Sequence, residues 1–213
     1  MKIRKAVVTA AGWGTRFLPA TTAQPKEMLP LVDKPIIQYV IEEAVASGIK
    51  HIIIVTAIGK RAIEDHFDRS FELEHILQKK GNAELVGKLK SISDLADISY
   101  IRQKEQLGLG HAILVTRELI GNDPFAVFLP DDLIQAKVPA MKQMIEVFDR
   151  YQHSVIAIQP VAREETNAYG IIAPEQLEDR LYKVRGLVEK PDPQNAPSNL
   201  AIVGRYILTP EIF

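Results

Sequence analysis

Six short runs rich in valine and isoleucine, separated by stretches of helical periodicity, constrain this chain more than any other feature. They are "KAVVTA", "HIIIVTA", "DISYIR", "FAVFLPD", "SVIAIQPV" and "LAIVGRYIL". Several are apolar throughout, as expected of strands covered on both faces. Between the first two lies "DKPIIQYVIEEAVASG". Pro35 suits a first helical position, Ile37, Val40, Ile41, Ala44 and Val45 form one apolar face, and Gly48 ends the helix. This is a βαβ unit. Its repetition predicts an α/β fold around a mostly parallel sheet.

Two segments break the rhythm. From about Phe67 to Ala96 the chain is polar, mixed in charge and helical in pattern, with Gly81-Asn82 in its middle, and is expected to be a helical excursion beside the sheet. "EKPDPQNAPSN" is dense in proline and asparagine, which predicts an ordered surface loop. The 213 residues are expected to form a single domain. "YILTPEIF" stops as a helix begins after Pro210, so a C-terminal part is expected to follow in a longer product.

Composition excludes several classes. A net charge of −1 gives no reason to expect nucleic acid or an anionic membrane as partner. The chain has no cysteine, which removes a disulfide framework, a thiolate metal site and a cysteine nucleophile, and suits a reducing cytoplasm. Its longest apolar runs are too short to span a bilayer, and "MKIRKAVV" lacks the apolar core of a signal peptide.

The first strand runs into "AGWGTRFLPAT", then "PKEMLP". A P-loop needs Gly-Lys-Ser/Thr, but Gly14 is followed by Thr15 and Arg16. The dinucleotide fingerprint needs a third glycine where Phe17 stands. What remains is a turn whose backbone amides, from Ala11 and Gly12 through Gly14 and Thr15, face an anion or a base. Arg16 adds a fork matched to phosphate oxygens and Lys26 a movable point charge. A tight turn with two solvated cations is the other reading, and these residues alone leave both open.

"AGWGTRFLPAT" with "PKEMLPLVDKPIIQYVIEEAVASGI" resembles the signature of the sugar-1-phosphate nucleotidyltransferases. "QLGLGHA", "LPDDLI", "AYGII", "VRGLVEKP" and "APSNLAIVGRYIL" follow in the family's order, so the resemblance covers essentially the whole chain. It implies a Rossmann-like three-layer fold with a mixed, mostly parallel central sheet. The wording "PKEMLPLVDKP" is similar to the bacterial branch that transfers a uridylyl group from UTP to glucose 1-phosphate. An attacking phosphate is already an anion, so such a reaction calls for cations, Mg²⁺ and positioning rather than a general base. The resemblance also implies a homo-oligomeric full-length protein, and a second metal aspartate beyond the last residue here. Two other readings remain: transfer from dTTP, and a non-catalytic sugar-nucleotide-binding protein.

The resemblance assigns Arg16 and Lys26 to the triphosphate and Asp131 to the metal. Asp131 and Asp132 follow an apolar strand, where ligands of open α/β sheets sit, although such a pair can also cap a turn. Gln103 and Gly108 are assigned to the nucleobase, joined by Ala11, Gly12 and Glu27. His111 reads as a hydrogen-bonding residue at a helix start. Glu189 is assigned to sugar hydroxyls and Lys190 to the sugar phosphate, with Gly170 and Val203 as further sugar contacts. Glu27 stands where thymidylyl-transferring relatives carry glutamine, which favours uridine. A methyl group gives only about 1–3 kcal/mol of discrimination, so some use of dTTP is expected.

Overall fold

The computed structural model describes residues 2–213. In chain order its strands are β1 (Lys5–Thr9), β2 (Pro30–Leu31), β3 (Lys34–Pro35), β4 (His51–Thr56), β5 (Asp97–Arg102), β6 (Phe125–Phe128), β7 (Val155–Pro160), β8 (Gly170–Glu178), β9 (Leu181–Glu189) and β10 (Leu200–Leu208). The α-helices are α1 (Ile36–Ala46), α2 (Arg61–Phe67), α3 (Phe71–Lys79), α4 (Ala83–Ser93), α5 (Leu109–Leu114), α6 (Arg117–Ile120) and α7 (Ala140–Tyr151). Contacts divide the chain into two compact units, residues 1–155 with 205–213, and residues 156–204.

In the first unit the strands lie in the order β5-β4-β1-β6, each parallel to its neighbour. The last four residues of β10 close this row antiparallel to β6, Arg205 opposite Phe128 and Leu208 opposite Phe125. The sheet is therefore mixed, with parallel central strands flanked by helices. Both faces are covered, which is why β1, β4 and β6 are apolar without alternation. Val7, Ile53, Val55, Phe125, Val127 and Leu208 pack on one face with Ala112 of α5 and Ile120 of α6. The alternate residues Ala6, Val8, Ile52, Ile54, Ala126 and Phe128 are equally buried.

Helix α1 buries Ile37, Val40, Ile41 and Ala44, as its periodicity predicts, while Val45 is only half-buried. Pro35 is one residue earlier than predicted: its ψ of 148° is extended, and it pairs with Pro30 in the β2–β3 ribbon. Gly48 at φ 90° takes the left-handed turn that stops α1. Its N–H bonds to Val45 O and that of Ile49 to Ala44 O, and the fully buried Ile49 secures the turn. Helix α7 inserts Met141, Met144 and Phe148, one turn or two apart. The polar stretch after β4 forms α3 and α4, with Asn82 Oδ1 accepting Leu85 N–H as an N-cap.

In the second unit β8 and β9 form an antiparallel hairpin, Gly170 opposite Glu189, and Ala201 of β10 pairs with Ile171. The segment "KPDPQNAPS" that follows β9 is a loop whose shape is set by Arg163. Its Nε donates to Pro193 O and its Nη2 to Ala196 O, both at 2.8 Å.

Candidate active site

The loops that follow β1, β4, β5 and β6 leave the same edge of the parallel strands. Ligands of open α/β sheets bind outside these carboxyl ends. A larger cavity, about 500 Å³, is lined by Lys5, His51 and Asp97, the first residues of β1, β4 and β5. It therefore opens at the amino ends, away from that chemistry.

After β1 the backbone stays buried through Ala11 and emerges at Gly12. Gly14 adopts the left-handed conformation, φ 69°, and the short 3-10 turn Thr15–Phe17 follows. A Cβ on Gly14 would stand 3.1 Å from Lys26 Cβ and from Thr21 Cγ2, so a side chain there would force those neighbours to give by a few tenths of an ångström. Thr21 Oγ1 donates to Gly14 O at 2.9 Å and closes the loop. Gly12 has no neighbour within 4 Å of a notional Cβ, and its open side is where a ligand could approach. Trp13 is 68% exposed.

This loop meets the one after β6. Lys26 Nζ donates to Asp131 Oδ2 at 2.8 Å, with the Asp131 side chain about half exposed. Burial raises the Asp131 carboxyl, but Lys26, the local backbone and the Arg16 charge outweigh it and hold it below the usual aspartate value. Asp131 is thus an anion with two cations near it. A cavity of about 40 Å³ lies there, lined by Phe17, Lys26, Glu27, Ile36, Pro130 and Asp131.

Among the described residues no group of three or more acidic or histidine side chains could hold a metal unaided. Mg²⁺ does not need one, since it commonly takes one or two carboxylates and completes its shell with substrate phosphates and water. Ionised, half-exposed Asp131 beside phosphate-seeking cations fits a metal that arrives with a nucleotide.

Sequence reasoning missed the partner of Glu27. This carboxylate is 1% exposed, and its Oε2 accepts from Lys60 Nζ at 2.8 Å, while Oε1 has no partner. Lys60 follows Gly59 in the loop after β4, and only that strand-end position could have drawn notice.

The loop after β5 brings Gln103, Gly108 and His111 together. Gln103 Nε2 lies 3.2 Å from Gly108 O and 2.9 Å from His111 Nδ1. Gln106, also missed, donates from Nε2 to Ala11 O at 2.8 Å and ties this loop to the first. One further missed group supports the Asp131 loop from beneath. Arg205, wholly buried, donates to Glu43 Oε2 through Nε and Nη2 and to Leu129 O through Nη1.

In the second unit Gly170, Glu189 and Lys190 are neighbours. A Cβ on Gly170 would lie 3.2 Å from Glu189 Oε2 and from Ile202 Cδ1. Lys190 has φ 47°, and its N–H bonds to Tyr169 O at 2.9 Å. Its Nζ is 3.7 Å from Glu189 Oε1, and both side chains are more than half exposed. Val203 lies on β10, half-buried, one residue past Ile202.

A sequence profile of the nucleotidyl transferase family matches residues 5–213. The UTP–glucose-1-phosphate uridylyltransferase of Bacillus subtilis (strain 168) is 59% identical over 212 residues, covering 100% of this chain and 73% of that protein. The crystal structure of a UDP-glucose pyrophosphorylase complexed with UDP-glucose superposes with a TM-score of 0.86 at 48% identity, over 98% of this chain and 77% of the other. A UTP-bound enzyme of the same kind from Acinetobacter baumannii gives 0.93 at 42% identity, over 98% and 75%.

Proposed function

Because the chain belongs to the nucleotidyl transferase family, we propose that it transfers a uridylyl group from UTP to glucose 1-phosphate, releasing pyrophosphate and forming UDP-glucose. The observation that carries this reading is the apposition of Lys26 and Asp131 at the carboxyl ends of β1 and β6, with Arg16 acting on the same carboxylate. The named activity of the Bacillus subtilis relative supports it.

A phosphate oxygen of the sugar phosphate attacks the α-phosphorus of UTP, and the bond to the leaving pyrophosphate breaks. The nucleophile carries its charge already, so no proton need be removed. The barrier lies in bringing two polyanions together. Arg16 forks onto the triphosphate, and Lys26 turns from Asp131 to the α-phosphoryl oxygens, where negative charge builds. Asp131 would hold Mg²⁺, which would supply Lewis-acid neutralisation of the phosphates. Ala11, Gly12, Gly14 and Thr15 provide backbone groups for the nucleotide, while Gln103 and Gly108 take the base and Glu27 braces the loop through Lys60. Glu189 accepts from sugar hydroxyls, Lys190 binds the sugar phosphate, and Gly170 and Val203 complete the sugar contacts. The setting is cytoplasmic, supported by the absence of cysteine. Among the described residues no helix is long and apolar enough to cross a membrane.

The test is pyrophosphate release with Mg²⁺, glucose 1-phosphate and each nucleoside triphosphate in turn, beside Asp131→Asn. Release favouring UTP and lost in the variant is the expected result. Equal or faster release with dTTP, or none with any nucleotide, would overturn the proposal.

A further inference from the structure

Gln103 follows β5, its backbone N–H bonds to Thr56 O at 2.8 Å, and its side chain is almost wholly buried. A glutamine amide can present either a donor or an acceptor to a ligand. Here a backbone group decides. Gly108 O, 3.2 Å from the amide, can only accept, so the NH₂ must face it. The second hydrogen of that NH₂ goes to His111 Nδ1 at 2.9 Å. The ring nitrogen therefore accepts, and the imidazole proton sits on Nε2. Both amide hydrogens are now committed. The carbonyl Oε1 has no partner among the described residues, and it is not one of the polar atoms sealed from solvent.

We infer that His111 determines which class of pyrimidine the chain accepts, by holding the Gln103 amide so that its carbonyl oxygen is left for the base. This rests on the uridylyl-transfer reading above. An acceptor at that point matches the N3–H of uracil. Cytosine carries a bare ring nitrogen there, and two acceptors face to face repel. Thymine shares the N3–H, so His111 separates uracil from cytosine but not uridine from thymidine nucleotides. His111 is a positioning residue, since it acts through Gln103.

The test is equilibrium binding of UTP and CTP to the 213-residue chain, its His111→Leu variant and its His111→Asn variant. Wild type should prefer UTP. His111→Leu frees the amide to rotate, and the preference should narrow about tenfold. Asparagine places an acceptor oxygen near the position of Nδ1 and should keep the preference. A leucine variant that binds both nucleotides more weakly in equal measure would make His111 merely structural and overturn the inference. If that variant does not fold, long-range ¹H–¹⁵N correlations on wild type decide. They should show His111 Nδ1 bare and Nε2 protonated, and the opposite tautomer would overturn the inference. A wild type without preference for UTP over CTP would strike the uridylyl reading itself. An unchanged preference in the leucine variant would strike only the role of His111.

Discussion

Lys26 Nζ and Asp131 Oδ2 stand 2.8 Å apart, although 105 residues separate them along the chain. The pair joins the loop after β1 to the loop after β6, and Lys26 helps to hold the Asp131 carboxyl below its ordinary value. Lys26→Met should lower kcat for pyrophosphate release by about 10²–10³-fold. It should also lower the Mg²⁺ concentration giving half-maximal rate, since the Lys26 ammonium no longer occupies Asp131 Oδ2 beside the metal. A Mg²⁺ titration of the variant's activity checks both.

Gly14 and Gly12 should respond differently to alanine. At Gly14 a Cβ meets Lys26 and Thr21 in a backbone conformation that L-residues disfavour. Gly14→Ala should lose about 1–2 kcal/mol of stability in urea unfolding. Gly12→Ala meets nothing in the free chain. Its unfolding midpoint should stay near wild type while KM for UTP rises, because the proposed function puts the nucleotide in that space.

The Lys60–Glu27 pair is buried on both sides. Lys60→Met leaves a carboxylate sealed from water without its cation, and should destabilise the fold by about 3–5 kcal/mol. Lys60→Met combined with Glu27→Leu should regain most of that loss. Urea unfolding of the single and double variants reads the coupling directly.

Arg205 offers a second such measurement. Its guanidinium lies 5.0 Å from the Phe128 ring centroid and bridges Glu43 to Leu129 O, just before Pro130 and Asp131. Arg205→Met should cost about 3–5 kcal/mol in the same assay. Arg205→Lys keeps the charge but loses the fork, and should cost less.

His66 sets a pH dependence. Burial lowers its pKa below the ordinary 6.5, and its Nε2–H donates to Gln38 Oε1 at 3.0 Å. The unfolded chain then binds more protons than the folded one, so stability is full above pH 6.5 and declines as pH falls through the lower folded value. Unfolding free energies at pH 7.5 and 5.5 should show this decline, and His66→Gln should flatten it. Asp131, also lowered, acts in a separate window below 3.8.

The parallel strands are legible in the sequence because both-face burial leaves an apolar run, as Ile52–Val55 shows. The β8–β9 hairpin is not. Its turn is Asp179-Arg180, with Arg180 at φ 60°, in place of the Asn-Gly or Asp-Gly that signals such turns. Pro174 and a register shift beside it also break the alternation of β8. Helix α7 does carry a readable signal, the spacing of Met141, Met144 and Phe148.

For the site, residue types and strand-end positions raise Arg16, Lys26, Gln103 and Asp131 only as candidates, and their expected roles come from the family resemblance. Such signals are local, because a strand end, a glycine turn and a helical face depend on near neighbours in the chain. The partner of each side chain is not local. Lys60 reaches Glu27 across 33 residues and Arg205 reaches Glu43 across 162. The sense of the Gln103 amide follows from one carbonyl and one ring nitrogen that only the folded loop brings near. The sequence by itself determined the alternating architecture and the inventory of charged and polar groups at the strand ends. The tertiary structure alone decided which of them neutralise one another and which atoms remain for a ligand, since charge pairing and hydrogen bonding fall off within a few ångströms of space, whatever the separation along the chain.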